Sequence, residues 1–507
     1  MTRLPHVGII GAGLSGLRCA DILIQNGAHV TILEARDRIG GRVHQSSVGS
    51  HVVDLGPNWI HGAGENPIMD IAKATGAIMY DPEGGIVKFS REGGLIDDAV
   101  TSRVENFVWT TISEAFQYSN QHGDSIPAEK SLLDFFNEKV GKSGLPETEK
   151  ALVLDACKLW GAYVGEPTER QSLRFFRLEE CVDGSNFVVA STYKRILEHV
   201  SKNATAKADI HLNEPVVNIN APQRDDEPST PHQVTVKTAT GKTYTFDEVV
   251  VTCPLGWLKQ NITAFNPALP PRLLEAINNI SYGRLEKVYV TFPQAWWHID
   301  PTAPQTKSQL QKNTVVAQFL EPTYTPHPPS TEWNQECLSL ASLPAGTSHP
   351  TLLFYTYGEG GAAIINRISH LDPQSPEYKD ILMKTLEPFY SRLPGYDATS
   401  GDCLPSAMLA TQWQKDEYAG HGSYCNFQVG VAAADRDIEV LRDGGGSGRL
   451  RGLWFAGEHT APFVALGTTT GAYWSGERVA KRVCELRGLE GVGVDIGVGD
   501  ELPSGAL

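Results

Sequence analysis

Residues 6–16 read His6-Val7-Gly8-Ile9-Ile10-Gly11-Ala12-Gly13-Leu14-Ser15-Gly16, an apolar run that enters a glycine-rich turn. The apolar run is typical of a strand, and the residues at 17–23 are typical of a helix. A second apolar run, residues 28–33, ends at Glu34. A strand, a Gly-x-Gly-x-x-Gly turn, a helix and a second strand ending in an acid predict a dinucleotide-binding βαβ unit.

The three glycines of this turn have separate predicted roles. We expect Gly11 to allow the tight turn, Gly13 to let the backbone approach a pyrophosphate, and Gly16 to let the helix pack closely on the strand. The helix N-terminus then presents free N–H groups and a positive dipole end to the phosphates. Glu34 can accept hydrogen bonds from a ribose hydroxyl group.

Size and charge narrow the class of protein. A chain of 507 residues is too long for one core, so we expect two or more domains. The net charge of −16 argues against a nucleic-acid partner. It is compatible with a cationic substrate, although solubility accounts for it equally well.

Cysteine usage and hydropathy predict the compartment. The eight cysteines are scattered and include no CxxC pair, which disfavours a structural metal site and a disulfide framework. No apolar run reaches the roughly 20 residues of a membrane span, and the first strand begins too early for a signal peptide. We therefore expect a soluble, intracellular and cytoplasmic protein with no membrane partner.

The rest of the chain alternates between helical and extended patterns. Helices are predicted at residues 147–160, 192–200, 375–386 and 468–482. Strands are predicted at residues 211–219, 233–237, 243–246, 247–252 and 453–458, the second and third forming a hairpin around Gly241. The chain thus returns to the first sheet after a helical excursion, which predicts an α/β plus α+β fold of two interleaved domains.

We predict the following division. The cofactor-binding domain comprises residues 1–85, 211–287 and 405–485. The substrate-binding domain comprises residues 86–210 and 288–404, and residues 486–507 form a flexible tail that is rich in glycine and acidic residues.

Four further stretches resemble segments of the FAD-dependent amine oxidases, the family of monoamine and polyamine oxidases. They are Glu34-Ala35-Arg36-Asp37-Arg38-Ile39-Gly40-Gly41-Arg42, Gly56-Pro57-Asn58-Trp59-Ile60-His61-Gly62, Leu453-Trp454-Phe455-Ala456-Gly457-Glu458 and Gly467-Thr468-Thr469-Thr470-Gly471-Ala472. The Trp-Ile-His-Gly form is closest to polyamine oxidases. The resemblance implies a Rossmann-like FAD-binding domain interleaved with a mixed-sheet and helical substrate domain.

The resemblance also implies the cofactor contacts and the reaction. The residues that would contact FAD are Gly11, Gly13, Ser15, Gly16, Glu34, Ala35, Arg36, Gly41, Arg42, Gly56, Pro57, Asn58, Trp59, Val216, Trp413, Gly457, Glu458, Thr468 and Thr469. Arg42 can pair with the pyrophosphate. In the implied reaction a hydride moves from the amine α-carbon to flavin N5, the imine hydrolyses to an aldehyde or ketone plus ammonia or an amine, and O2 becomes H2O2.

Two residues are the main candidates for proton handling. Lys287 matches the family lysine that holds a water against the flavin, whereas the alternative is a solvated lysine at a strand end. We interpret its neighbours Arg284 and Glu286 as surface charges. His61 can accept or relay a proton near the substrate nitrogen, or it is a hydrogen-bonded loop histidine without a chemical role.

The substrate cage of this family is incomplete in the sequence. Tyr424 matches one wall of the aromatic cage that orients the amine, with a core tyrosine as the alternative. Monoamine oxidases usually carry a tyrosine where this chain has Thr468, which cannot stack, so the resemblance implies a half-open cage. Trp413 is either close to the flavin or a core tryptophan.

Flavin attachment also differs from the mitochondrial enzymes. These place a cysteine, which bonds the flavin covalently, immediately before the cage tyrosine. Here that position is Ser423, and Cys425 lies on the other side of Tyr424. We therefore expect FAD to be held non-covalently.

The sequence leaves the substrate open. The acidic group Glu179, Glu180 and Asp183 could steer a polycation or be a solvated loop. We expect a polyamine, a long-chain primary amine or a bulky amine such as a fumonisin-type amino-polyol, with O2 as the second substrate. The oligomeric state cannot be predicted.

The sequence leaves three other functions as alternatives. An L-amino-acid oxidase would need an arginine for the carboxylate, for which Arg174 and Arg177 are the candidates. A flavin demethylase module would need a long helical insertion and basic surfaces, which the sequence lacks. A flavoprotein without enzyme activity is the third alternative.

Overall fold

The computed structural model describes residues 4–82, 84–224, 232–298, 313–328 and 331–489. Its β-strands are β1 His6–Ile10, β2 His29–Leu33, β3 Gln45–Val48, β4 His51–Asp54, β5 Trp59–Ile60, β6 Met79–Tyr80, β7 Ile86–Phe89, β8 Phe187–Val189, β9 Asp209–His211, β10 Val216–Asn220, β11 Val234–Thr238, β12 Thr243–Phe246, β13 Glu248–Val251, β14 Phe265–Asn266, β15 Ser281–Tyr282, β16 Leu285–Thr291, β17 Val316–Phe319, β18 Gln335–Ser339, β19 Thr351–Tyr357, β20 Ala407–Ala410, β21 Cys425–Asn426 and β22 Leu453–Phe455. Its α-helices are α1 Leu14–Gln25, α2 Pro67–Ala74, α3 Asp98–His122, α4 Leu132–Lys142, α5 Glu147–Cys157, α6 Gly161–Val164, α7 Lys194–Lys207, α8 Leu255–Gln260, α9 Pro271–Asn279, α10 Gly358–Ile368, α11 Pro376–Tyr390, α12 Ala434–Asp443, α13 Ser447–Arg451 and α14 Thr469–Arg487.

A five-stranded parallel sheet lies at the centre of the cofactor-binding region, in the order β22-β13-β1-β2-β9. Its inner strands β13, β1 and β2 are mainly apolar and buried along most of their length, as parallel strands covered on both faces must be. β1, α1 and β2 lie where the glycine-rich sequence predicts them. The predicted α/β plus α+β fold is confirmed.

Helices α7 and α14 pack against α1 beside this sheet. Gly476 of α14 lies close against α1, since a Cβ atom there would overlap the carbonyl oxygen of Ser15. The predicted division assigned residues 86–210 to the substrate domain, but α7 and most of β9 share the core of the N-terminal unit. The predicted domain boundary at residue 210 therefore does not coincide with the end of a packed unit. The division into two domains stays a prediction.

The single strand predicted at residues 211–219 is wrong. The chain forms β9 and β10 there, which belong to different sheets. Asn213 between them has a φ of 57°, a conformation that asparagine tolerates better than most residues, and Pro215 has no N–H for a ladder. The predicted hairpin is confirmed by the antiparallel pairing of β11 with β12.

A six-stranded mixed sheet forms the second layer, in the order β20-β16-β19-β18-β17-β7. β16 lies between β19 and β20 and is buried along most of its length. Helices α10 and α11 pack in the core of this sheet, whereas α3, α4 and α5 form a separate apolar cluster. This layer positions Lys287, the third residue of β16.

Two predicted helices extend beyond their predicted ends. α7 continues to Lys207, and α14 continues to Arg487, into the stretch predicted as a flexible tail. The remainder of that predicted tail, residues 490–507, lies outside the described residues. None of the helices in the described part of the chain combines the length and apolar character that a bilayer crossing requires.

Candidate active site

The glycine-rich turn after β1 leaves an open cradle beside the backbone. Gly11 has a φ of 104°, and a Cβ atom there would lie 2.8 Å from Oγ1 of Thr252. A Cβ atom on Gly16 would overlap the carbonyl oxygen of Gly11, so the close approach of α1 to the turn requires glycine. A Cβ atom on Gly13, in contrast, would meet no atom within 4 Å.

A second glycine pair closes the other side of the cradle. The Gly40 N–H donates to the Ala12 carbonyl oxygen at 2.8 Å, and Gly41 has a φ of 58°. The Cβ position of Gly41 is 3.4 Å from Cα of Gly13. The glycines of these two turns carry no side chain, so the backbone of both turns faces one space at the N-terminus of α1. Free N–H groups at a helix N-terminus favour an anion.

Glu34 lies at the end of β2, directly beside this cradle. Its Oε2 accepts from the Ala12 N–H at 2.7 Å and its Oε1 from the Arg36 N–H at 2.9 Å. The Arg36 side chain forms an ion pair with Asp416 at 2.8 Å. A buried carboxylate at a strand end, an open cradle and free backbone at a helix N-terminus fit a dinucleotide.

The partly buried guanidinium of Arg42 joins three segments of the chain. Its Nη1 donates to the Ser423 carbonyl oxygen at 2.5 Å, to Oε1 of Glu458 at 3.1 Å and to the Tyr282 hydroxyl at 3.2 Å. Burial opposes its charge, but Tyr282 and Glu458 hold the pKa of Arg42 above its usual value. Glu458 follows β22, so the two ends of the chain meet at this ion pair.

Lys287 is buried, so the interpretation as a solvated lysine is wrong. Its Nζ donates to the carbonyl oxygen of Gly56 and to Oδ1 of Asn58. Burial lowers the pKa of Lys287, and the carboxylate of Asp54 opposes this shift. Asp54 is 2 % exposed and accepts from the Tyr193 N–H at 3.0 Å.

The neighbours of Lys287 are not surface charges. Glu286 is fully buried, because β16 is an inner strand, and it accepts from the Thr411 hydroxyl at 2.5 Å and from the Gln414 N–H at 2.8 Å. Burial raises the pKa of Glu286 to about 7. Arg284 forms an ion pair with Glu166 at 2.6 Å and is largely withdrawn from solvent.

His61 lies in the turn that follows β5. Burial lowers the pKa of its imidazole, and a hydrogen bond with the Asn186 side chain opposes this shift. The Asn66 amide holds the turn by donating to the carbonyl oxygens of His61 at 3.0 Å and Gly62 at 2.8 Å. A neutral imidazole in this turn is able to accept a proton.

Tyr424 and Thr468 lie on two adjoining loops. The Tyr424 hydroxyl donates to the Tyr163 carbonyl oxygen, and the Cβ position of Gly467 is 3.3 Å from Cδ2 of Tyr424. Thr468 is the N-cap of α14: its hydroxyl accepts from the Gly471 N–H at 3.0 Å and donates to the Ala465 carbonyl oxygen at 2.7 Å. The Thr468 hydroxyl is therefore engaged in its own helix.

Several other predicted residues make contacts with protein groups. The contacts are Ser15 Oγ with Ser475 Oγ at 3.0 Å, Trp59 Nε1 to the Tyr355 hydroxyl at 3.1 Å, Trp413 Nε1 to the Leu55 carbonyl oxygen at 3.2 Å, Gly457 N–H to Ser475 Oγ at 2.9 Å and Thr469 Oγ1 with the Tyr193 hydroxyl at 3.4 Å. Val216 pairs with Thr238 in the four-stranded sheet. Ala35 lies between Glu34 and Arg36, and Pro57 lies between Gly56 and Asn58.

Sequence reasoning missed the buried acid Asp54 and the partly buried acid Glu179. Asp54 ends β4, two residues before Gly56. An acid at this position, next to the family-like stretch at residues 56–62, could have been recognised as a candidate site residue. Glu179 belongs to the acidic group for which the sequence leaves a polycation-steering role and a solvated loop open. In the structure, burial raises the pKa of Glu179 to about 8, and its Oε1 accepts from the Phe427 N–H at 3.4 Å. No local pattern distinguishes Glu179 from its neighbour Glu180.

The structure also bears on flavin attachment and on metal binding. All eight cysteines are free thiols, and Ser423, not a cysteine, precedes Tyr424. Among the described residues, no three or more His, Cys, Asp or Glu side chains group as a metal site would require.

Comparison with known proteins identifies relatives along most of the chain. Residues 14–484 match the family model described as flavin containing amine oxidoreductase. Polyamine oxidase 2 of Arabidopsis thaliana is 24% identical, over 97% of this chain and 90% of the relative. The peroxisomal N(1)-acetyl-spermine/spermidine oxidase of Homo sapiens is 24% identical, over 95% of each chain. A solved double mutant of a putrescine oxidase, redesigned in its cofactor binding, has a TM-score of 0.66 at 17% identity and covers 95% of this chain and 99% of its own.

Proposed function

Because the chain belongs to the family of flavin containing amine oxidoreductases, we propose that it oxidises a polyamine or a long-chain or bulky primary amine with O2. It is an amine oxidase, and its cofactor is FAD. The choice of substrate is supported by one observation: Thr468 caps α14 and offers no ring opposite Tyr424. A site with a single aromatic wall suits a flexible or bulky amine better than a small aryl amine.

The cradle over Gly13 and its surroundings would hold the cofactor. The N–H groups at the start of α1 and the Arg42 guanidinium suit the pyrophosphate, and Glu34 suits a ribose. When bound, FAD accepts the electron pair of the amine and passes it to O2. We propose non-covalent binding, since Ser423 cannot form the thioether that a cysteine forms.

The side chains around Lys287 would handle charge and protons. The Lys287 ammonium group, held by Gly56 and Asn58, can polarise a water molecule and stabilise negative charge that develops on oxygen. His61, whose pKa is lowered by burial, can accept the proton that the amine loses before oxidation. Tyr424 can orient the amine through its ring face.

An amino-acid substrate is less well supported. Arg177 forms an ion pair with Asp435 at 2.7 Å and Arg174 lies 3.9 Å from Asp124. Both guanidinium groups thus lie beside a carboxylate of the protein, which leaves neither of them dedicated to binding a substrate carboxylate. A cytoplasmic location also stays a proposal, supported by eight thiols that are all unpaired.

An amine panel with peroxide detection tests the proposed function. The panel contains spermidine, spermine, N-acetylated forms, benzylamine, tyramine, long-chain amines and lysine. We expect peroxide from the polyamines or long-chain amines and little from benzylamine. Peroxide from lysine alone would contradict the proposal, and yellow colour that stays on the denatured chain would contradict non-covalent binding.

A further inference from the structure

Glu286 is a buried acid next to Lys287 in the chain. The two residues follow each other on β16, so their side chains point to opposite faces of the sheet. The Lys287 ammonium group reaches Gly56 and Asn58, whereas the Glu286 carboxylate is directed to the short turn at Trp413–Lys415. Glu286 is fully buried, so its carboxylate is not accessible to a substrate or to solvent. Any effect of this acid on the reaction therefore acts through the residues that it contacts.

Three donors from the segment at residues 411–414 hold the Glu286 carboxylate. The Thr411 hydroxyl donates to Oε2 at 2.5 Å, the Trp413 N–H donates to Oε2 at 3.1 Å and the Gln414 N–H donates to Oε1 at 2.8 Å. These donors are neutral, and the nearby carboxylate of Asp416 repels the charge of Glu286. A buried charge held by neutral groups costs stability, and ionisable groups in such surroundings are concentrated at functional sites.

The same segment is connected to Lys287 in two ways. Along the backbone, the Lys287 N–H donates to the Thr411 hydroxyl oxygen at 2.8 Å, and the Thr411 N–H donates to the Lys287 carbonyl oxygen at 2.9 Å. On the side of the ammonium group, Trp413 Nε1 donates to the Leu55 carbonyl oxygen at 3.2 Å. Gly56, which follows Leu55, accepts from Lys287 Nζ. The backbone and the ammonium group of Lys287 are thus both fixed relative to a segment that the buried acid holds.

We propose that Glu286 is a positioning residue for the oxygen reaction of the flavin, because its carboxylate fixes the 411–414 segment and thereby the placement of Lys287 and Trp413. This inference rests on the proposed role of Lys287 and adds a residue that touches neither substrate nor cofactor. A misplacement of about 1 Å in a reacting group can cost on the order of 100-fold in rate. Glutamine at position 286 keeps the shape of the side chain but turns an NH2 donor towards a donor, which should displace the segment.

Stopped-flow reoxidation by O2 of the FAD-loaded enzyme, reduced beforehand with dithionite, tests this inference without any amine. At pH 8.5 most of the Glu286 carboxyl is ionised, since burial raises its pKa to about 7. We expect Glu286→Gln to slow reoxidation about tenfold or more. Glu248→Gln is the matched control, because Glu248 is equally buried and accepts from Trp454 Nε1 at 2.8 Å, at the end of the parallel sheet opposite the glycine-rich turn. The control should lower the thermal midpoint and leave the reoxidation rate within twofold.

A double-mutant cycle separates positioning from a general loss of structure. If Glu286 acts through Lys287, the variant that carries both Glu286→Gln and Lys287→Met should reoxidise at about the rate of Lys287→Met alone. Multiplied effects in the double variant, or an unchanged rate in Glu286→Gln, would overturn the inference. Should Glu286→Gln fold poorly, Thr411→Val removes the hydroxyl that lies between Glu286 and the Lys287 N–H. That variant must also slow reoxidation, and an unchanged rate overturns the inference.

The outcomes also separate this inference from the proposed function. Absence of peroxide with every amine of the panel would contradict the proposed function, while the reoxidation rates still decide the role of Glu286. A normal reoxidation rate in Lys287→Met would contradict the proposed role of Lys287 and, with it, the positioning role of Glu286.

Discussion

Lys287 illustrates how a buried cation is kept in place by its polar neighbours. An ammonium group that loses its water requires hydrogen-bond acceptors and a nearby negative charge. The Gly56 carbonyl oxygen and the Asn58 amide oxygen supply the first, and Asp54 supplies the second. A lysine of lowered pKa in such surroundings is suited to act on a water molecule or on oxygen.

Replacement of Lys287 by methionine should separate cofactor binding from turnover. Methionine keeps the unbranched shape and removes the charge, so FAD should stay bound. We expect flavin reduction or reoxidation, followed by stopped-flow absorbance, to slow on the order of 100-fold or more. Lys259→Met is the control, because the Lys259 ammonium group bonds to the Asn278 carbonyl oxygen at 2.8 Å, outside the site. Normal turnover in Lys287→Met would remove Lys287 from the proposed mechanism.

Glu179 should make the stability of the protein fall as pH rises. Burial raises its pKa to about 8 in the folded chain, whereas an unfolded glutamate titrates near 4.3. The folded state therefore binds the proton more tightly, and this stabilisation is lost as pH rises from about 4 to about 8. In Glu179→Gln, urea midpoints measured between pH 4.5 and 8.5 should decline less than in the unaltered chain. Parallel curves for the two proteins would contradict a raised pKa.

At the level of the elements, the approach of α1 to the turn after β1 depends on Gly16. A methyl group there would overlap the Gly11 carbonyl oxygen, so Gly16→Ala should destabilise the protein by about 1–3 kcal/mol and weaken FAD binding. Gly141→Ala is the matched control in the last turn of α4, where a Cβ atom meets nothing within 4 Å. That change should stabilise by about 0.5–1 kcal/mol. Thermal midpoints that move the same way in both variants would contradict this packing argument.

Elements with a continuous local pattern could be predicted, and those set by distant contacts could not. β1, α1 and β2 follow from apolar runs punctuated by glycines, and the β11–β12 hairpin follows from alternation around Gly241. The run at 211–219 looks uniform, yet β9 pairs with β2 and β10 pairs with β11. The point at which the predicted strand ends is therefore set by its partner strands, which are distant in sequence, and not by its own residues.

The same distinction applies to the site as a whole. Motif positions such as Glu34, Arg42 and Lys287 are recognisable from their neighbours in sequence. The ion pair of Arg42 with Glu458 and the contact of Glu286 with Thr411 require segments more than 100 residues apart to meet. The ring contact between Trp109 of α3 and Tyr163 of α6 likewise joins separate segments, and no periodicity in either helix predicts it.

The assembly of one cofactor site from both ends of the chain predicts that FAD stabilises the whole fold. The groups proposed to hold FAD lie in the turn before α1, after β2 and after β22, and α14 packs on α1. A ligand that binds only the folded state should stabilise it by about 2.7 kcal/mol at 100 times its Kd, so the thermal midpoint of the apoprotein should rise with FAD concentration. Riboflavin, which lacks the pyrophosphate and the adenosine, should raise the midpoint far less at the same concentration. Glu34→Gln should shift the FAD dependence to higher concentration and should also lower the apoprotein midpoint, because an NH2 group would replace one of the two oxygens that accept from the Ala12 and Arg36 N–H groups. Equal stabilisation by FAD and riboflavin would show that the cradle over Gly13 does not bind the dinucleotide part.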